Sequence, residues 1–164
     1  MVDVRLRAMT QAEYDEWVPR TIEAYAADHK RNGTWPAGQE LDMARKQFAL
    51  LLPDGPNTAS HHLLVGTADG ERVGLLWLWI DAPDAGSTSS AFVYDVEVEE
   101  AKRGKGFGRS LMLAAEDFAR EHNATAIKLH VFGDNAVAIR LYEALGYQPT
   151  SISMAKPLTA PPTG

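Results

Sequence analysis

Between residues 92 and 122 a strand-period run, a glycine-rich turn and a helical run follow one another without interruption. This unit constrains the chain more than any other segment. Phe92–Val98 (FVYDVEV) alternates at the period of a strand, and about Gly108 to His122 repeats at the period of a helix. Between them stands Arg103-Gly104-Lys105-Gly106-Phe107-Gly108. Glycines at 104, 106 and 108 let the backbone turn tightly and approach a ligand without a Cβ in the way. The following helix offers free N–H groups and the positive end of its dipole, which together make an anion site. Arg103, Lys105 and Arg109 add charge and Ser110 adds a hydroxyl. Alone, the string is equally a plain strand-to-helix turn. It is neither the dinucleotide fingerprint, which needs another glycine spacing and a distal acid, nor the phosphate loop of nucleotide triphosphatases, which needs Gly-Lys-Ser/Thr after four spacers.

Charge narrows the anion. The chain of 164 residues has a formal net charge of −6, which disfavours a polyanion such as nucleic acid. Yet Lys102, Arg103, Lys105 and Arg109 form one compact basic knot, as a small anionic ligand requires. Hydrophobic residues make up 45%, enough for the core of one domain. No run approaches the ~20 apolar residues of a membrane span, so no membrane partner is expected. The absence of cysteine excludes disulfides, thiolate metal sites and a cysteine nucleophile, and agrees with a cytoplasmic location. The five histidines, at 29, 61, 62, 122 and 130, show no zinc-site spacing, and no metal is expected.

The rest of the chain supplies the frame. Val4–Ala8 reads as a first strand, and Thr10 with Glu13 as a capping box opening a helix to about His29. Pro19 inside it predicts a kink or a break into two helices. Glu40–Leu52 is a second helical stretch. His62–Thr67 and Arg72–Ile80 are strands joined through Asp69-Gly70, a strong hairpin signal. Asp81–Ser90 is a Pro/Gly/Ser-rich connection. Ile127–Val131 is a strand, Asn135–Leu145 a helix stopped by Gly146, and residues 147–156 read as a last strand. This is one mixed α/β domain over residues 1–156, with a flexible tail at 157–164.

Two motifs in this order resemble a known family. Arg103-x-x-Gly106-x-Gly108 is similar to the acetyl-CoA pyrophosphate motif of the GNAT superfamily of N-acetyltransferases, Gln/Arg-x-x-Gly-x-Gly/Ala. Asn135-Ala-Val-Ala-Ile-Arg-Leu-Tyr142-Glu-Ala-Leu-Gly146-Tyr147 resembles that family's second signature, Asn-x-x-Ala-x-x-Leu-Tyr-x-x-x-Gly-Phe/Tyr. The resemblance implies a GNAT-like fold: a central twisted mixed sheet of about six to seven strands, flanked by about four helices and splayed between strands 92–98 and 127–131. It implies acetyl-CoA as co-substrate. Backbone groups of Val96 and Val98 would hold the pantetheine arm. N–H groups from Gly104 through Lys105, Gly106 and Phe107 to Gly108, with Arg103 and Arg109, would hold the pyrophosphate. Asn135 would touch the pantetheine or cap its helix, and Tyr142 would face the sulfur.

Acyl transfer to an amine needs a neutral nucleophile, charge stabilisation at the thioester oxygen and a proton for the departing thiolate. Tyr142 suits the last role, or packs in the core with Ile139 and Leu145. On strand 92–98, alternation puts Phe92, Tyr94, Val96 and Val98 on one face and Val93, Asp95 and Glu97 on the other. Glu97 is the preferred base and Asp95 the second choice, with a solvated or ion-paired face as the alternative. Tyr25, His29 and Trp35 are candidates for the acceptor site, or for plain packing. The expected function is acetyl transfer to a primary amine in a ternary complex, with the amine on a small molecule, peptide or protein. A non-catalytic acyl-CoA-binding module is the rival, and a homodimer stays open.

Overall fold

A computed structural model describes residues 2–81 and 89–158. Its elements are β1 (Arg5–Ala8), α1 (Gln11–Asn32), α2 (Glu40–Leu51), β2 (His61–Ala68), β3 (Glu71–Ile80), β4 (Ser89–Val98), α3 (Phe107–Glu121), β5 (Ala124–Leu129) and α4 (Ala136–Ala144), with two single 3₁₀ turns. The strands form one mixed sheet in the order β1-β2-β3-β4-β5, antiparallel until β5 joins β4 in parallel. Most of the predicted connection Asp81–Ser90, from Ala82 to Thr88, lies outside the described residues, as does residue 159 onward of the predicted tail.

Local chemistry explains most boundaries. Thr10 accepts from the Glu13 N–H at 3.2 Å and Glu13 returns the bond to the Thr10 N–H at 2.8 Å, the reciprocal cap expected. Asp69 and Gly70 both have positive φ (51° and 81°), the two-residue turn that matches the twist of a hairpin. Pro19 does not break α1, which runs unbroken for 22 residues. Proline removes one helical donor. Trp17 on one side of it, with Val18, Ile22 and Tyr25, packs into a single core cluster that holds both halves in line.

Two corrections concern the sheet. Residues 147–156 form no strand, so among the described residues five strands stand where six to seven were expected. Pro149 lacks the N–H a ladder needs, and residues 148–158 are exposed throughout. The strand predicted at Ile127–Val131 instead spans Ala124–Leu129. It starts early because Asn123, with φ 64°, turns the chain straight out of α3.

The sheet separates two cores. On one face Trp17 of α1 and Phe48 of α2 meet Leu63, Val65, Leu75 and Trp77. On the other, Met112 and Ala115 of α3 meet Leu64, Leu76, Leu78 and Val93, with Tyr142, Leu145 and Tyr147 beside them. Gly74 permits the close approach of α3. A Cβ there would lie 2.3 Å from the Glu97 carbonyl oxygen and 2.5 Å from Leu111 Cδ1.

Candidate functional site

The site begins with an irregularity in β4. Opposite β3, Trp77 pairs with Asp95 and Leu78 pairs with Val93, which leaves Tyr94 as the extra residue of a bulge. A bulge shifts alternation by one. Val93 therefore packs on the α3 side together with Val96, while Asp95 and Glu97 turn to the α1 side. Strict alternation had placed Val93 with Asp95 and Tyr94 with Val96. The bulge separates each pair, and Tyr94 stacks on Trp77 at 4.6 Å.

The same point ends the pairing of β4 with β5. Their ladder stops at Val93–Leu129, so residues 94–98 have no partner on that side. The expected splay is present. It opens a cleft of roughly 580 Å³ lined by Tyr94 to Glu97 on one side and Leu129 to Phe132 on the other, with Arg20, Tyr25, Arg103, Asn135 and Tyr142 around it.

Asp95 faces this cleft, yet dense packing around its carboxyl raises its pKa to about 6. Burial is the main cause, and the charge of Glu97 adds to it. The buried indole N–H of Trp17 makes no close hydrogen bond among the described residues, but it lies near enough to temper the rise. Tyr142 is half-buried in the same cleft. Burial first, and then the charge of Asp95, push its pKa up, so its hydroxyl keeps its proton. Glu97 is bound by the Arg20 guanidinium across 77 residues of sequence. The ion pair with Arg20 occupies Glu97 at the cleft wall, with Asp95 beside it in the same lining.

At the end of β4 the glycine-rich turn takes the predicted form. Gly104 and Gly106 adopt left-handed backbone (φ 72° and 86°), and no atom lies where their Cβ would be. Gly106 precedes α3 with no side-chain cap, so the first-turn N–H groups of Phe107, Gly108 and Arg109 face outward for an anion. Ser110 is buried in the first turn of α3, and its N–H donates to the Gly106 carbonyl at 3.2 Å. Gly108 has another role from its neighbours: a Cβ there would press on Leu141 of α4 at 3.3 Å. Arg103 donates through Nε to the Val98 carbonyl, which occupies that oxygen while Val96 stays in the cleft wall. Lys105 folds back onto the Ala101 carbonyl at 2.9 Å. Asn135 caps α4 through the Ala138 N–H at 3.2 Å and also lines the cleft.

Of the three acceptor-site candidates, Tyr25 lines the cleft. His29 and Trp35 stack at 3.5 Å behind it, and burial lowers the His29 pKa. Sequence reasoning missed Arg20 and the tie between α1 and the loop before α4. Arg31 joins Asp28 at 2.5 Å and Asp134 at 2.7 Å. The only signal was Asp134 beside Asn135, the first residue of the second signature.

The Acetyltransferase (GNAT) family model matches residues 11–147. The chain belongs to the GNAT acetyltransferase family. Its relatives include two Bacillus subtilis proteins named as uncharacterized N-acetyltransferases. YdgE is 32% identical over 93% of this chain and 97% of its own, and YycN 33% identical over 94% and 99%. The crystal structure of YycN superimposes with a TM-score of 0.89 over 96% of this chain and 99% of that one. A mycothiol acetyltransferase of Acidothermus cellulolyticus is 31% identical over 89% of this chain, but over only 45% of its own length. The GNAT assignment makes this chain an acetyltransferase.

Proposed function

We propose that the enzyme transfers an acetyl group from acetyl-CoA to a primary amine, with Asp95 as base and Tyr142 as acid. One observation supports this most: a carboxyl with a pKa near 6 and a protonated tyrosine share the cleft that opens where β4 leaves β5. The cradle at Gly104–Gly108 fits a pyrophosphate, because it combines left-handed glycines, an uncapped helix start and Arg103. The backbone edge along 94–97, which has no β5 partner, fits the extended pantetheine arm.

The amine nitrogen attacks the thioester carbonyl carbon, and a tetrahedral intermediate forms with positive nitrogen. Asp95 takes the nitrogen's proton. The C–S bond breaks, Tyr142 gives its proton to the departing thiolate, and an amide and free coenzyme A thiol result. Solvent then returns Asp95 and Tyr142 to their resting states. Tyr25, Phe92, Tyr94 and Phe132 supply aromatic faces that favour an ammonium group near the mouth. The mycothiol acetyltransferases match over less than half their length, so compounds of the mycothiol class enter an acceptor panel beside other amines.

Thiol release from acetyl-CoA, followed with a thiol reagent across that panel, tests the reading cleanly, because the chain has no cysteine to react. Tyr142→Phe is expected to lower kcat about 100-fold with little change in KM for acetyl-CoA. Undiminished turnover in that variant would remove Tyr142 from the mechanism. Tight coenzyme A binding with no turnover on any amine would instead favour a binding module.

A further inference from the structure

One charged group in the cleft has no part in the reaction described above. Arg20 stands on α1, and its guanidinium lies at the cleft wall, about half exposed. Its Nη1 holds Glu97, and among the described residues its Nε and Nη2 donate to no protein acceptor. Arg103, the other arginine of the lining, belongs to the cradle end, where it donates to the Val98 carbonyl. Guanidinium donors open to a cleft suit a carboxylate, because the planar fork matches its two oxygens.

The acids of the lining restrict what can sit beside Arg20. They are Asp28, Asp95 and Glu97. Glu97 is held by Arg20, and Asp28 by Arg31 at 2.5 Å. Of the three, Asp95 alone makes no ion pair among the described residues. A diamine or polyamine would bring a second ammonium that finds no free carboxylate, and an unpaired charge in a cleft is costly. An acceptor with one ammonium and one carboxylate has no such surplus. Asp95 and Glu97 lie on one face of β4, opposite Trp77 and Leu75, so their Cα atoms stand roughly 7 Å apart. Arg20 reaches that interval from α1, near enough for its charge to act on the Asp95 carboxyl. Ammonium and carboxylate on a single carbon bridge it with a hydrogen bond at each end. The neighbouring wall is aromatic. Phe92 and Tyr94 meet edge to face with centroids 4.9 Å apart, and Tyr25 packs on Phe48 in the same lining. Such rings suit a large apolar side chain.

We infer that the acceptor is an α-amino acid with a large apolar or aromatic side chain, its carboxylate on Arg20, its amine at Asp95 and its side chain against Tyr25, Phe92 and Tyr94. The inference rests on the acyl-transfer reading above. The amino group arrives as an ammonium and gives one proton to solvent before attack. The acetyl group passes from sulfur to nitrogen, Asp95 takes the second proton, and the thiolate takes that of Tyr142. The carboxylate is unchanged, and an N-acetyl amino acid leaves with coenzyme A.

Phenylalanine, phenylalaninamide and 1,4-diaminobutane, compared by thiol release, test this. Phenylalanine should exceed its amide in kcat/KM by about 10–100-fold, the range of a charge-assisted pair. Arg20→Gln should bring that ratio to about one, and Arg20→Lys should restore part of it. Glu97→Gln releases Arg20, and should lower KM for phenylalanine but not for the amide. A purely structural pair predicts no such selectivity. Calorimetry of phenylalanine binding to the coenzyme A complex reads the carboxylate subsite without turnover. Binding with no turnover would overturn the acyl-transfer reading while bearing out the subsite. The inference is overturned by equal kcat/KM for acid and amide, by a preference for the diamine, by a ratio that survives Arg20→Gln, or by a coenzyme A complex that does not bind phenylalanine.

Discussion

Asp95→Asn should abolish turnover and stabilise the protein, and the size of the gain follows from the site. The carboxyl has an ordinary pKa of 3.8 and is raised to about 6 in the fold. A shift of about two units corresponds to about 3 kcal/mol. Partial access of water from the cleft reduces this to about 1–3 kcal/mol. The sign is fixed by linkage. Well below pH 3.8 the carboxyl is neutral in both the folded and the unfolded chain, and the native protein and the variant should be equally stable. Between about pH 4 and pH 6 the unfolded chain ionises first, so the native protein loses stability relative to the variant as pH rises. Above about pH 6 the difference is constant. At about 2–4 °C per kcal/mol, Asp95→Asn should melt several degrees higher at pH 8 and with the native protein at about pH 3. Urea unfolding at the two pH values measures the difference directly. A variant less stable than the native protein at pH 8, or a gain independent of pH, would refute burial as the cause of the shift. The same group should give kcat/KM a limb that rises with pH up to about 6.

The close packing of α3 and the charge of the cradle give two further tests. Gly74→Ala places a methyl 2.3 Å from the Glu97 carbonyl oxygen and should cost about 1–3 kcal/mol in urea unfolding. A native urea midpoint would mean that α3 has room to withdraw. Arg103→Gln should raise KM for acetyl-CoA several-fold with kcat nearly held, and weaken its dependence on salt. A fall in kcat at constant KM would move Arg103 from phosphate binding to the chemistry.

Features set within a few residues were legible in the sequence. The Thr10–Glu13 cap, the Asp69-Gly70 hairpin and the Arg103–Gly108 turn each depend on chemistry inside one short window. Features set across the sheet were not. Nothing near Glu97 announces Arg20, which reaches it from a helix 77 residues away. Pro19 misled for the same reason: its local penalty is real, but Trp17 and Tyr25 are fixed by contacts far along the chain. The β4 bulge was also hidden, because it arises in pairing with Trp77 and Leu78.

That bulge does more than flip two side chains. Had Tyr94 paired with Trp77 in a regular ladder, alternation from Val93 would carry Asp95 to the α3 face beside Met112, away from Trp17 and Arg20. The β4 edge could also continue its ladder past Val93 with Leu129. The cleft would then narrow just where its carboxyl disappeared. Under the proposed mechanism, one bulged position sets both conditions together: a backbone edge without a β5 partner for an extended substrate arm, and a half-buried carboxylate beside it. The tyrosine that forms the bulge covers Trp77 with its ring. The irregularity is therefore anchored in the same core that raises the pKa of Asp95.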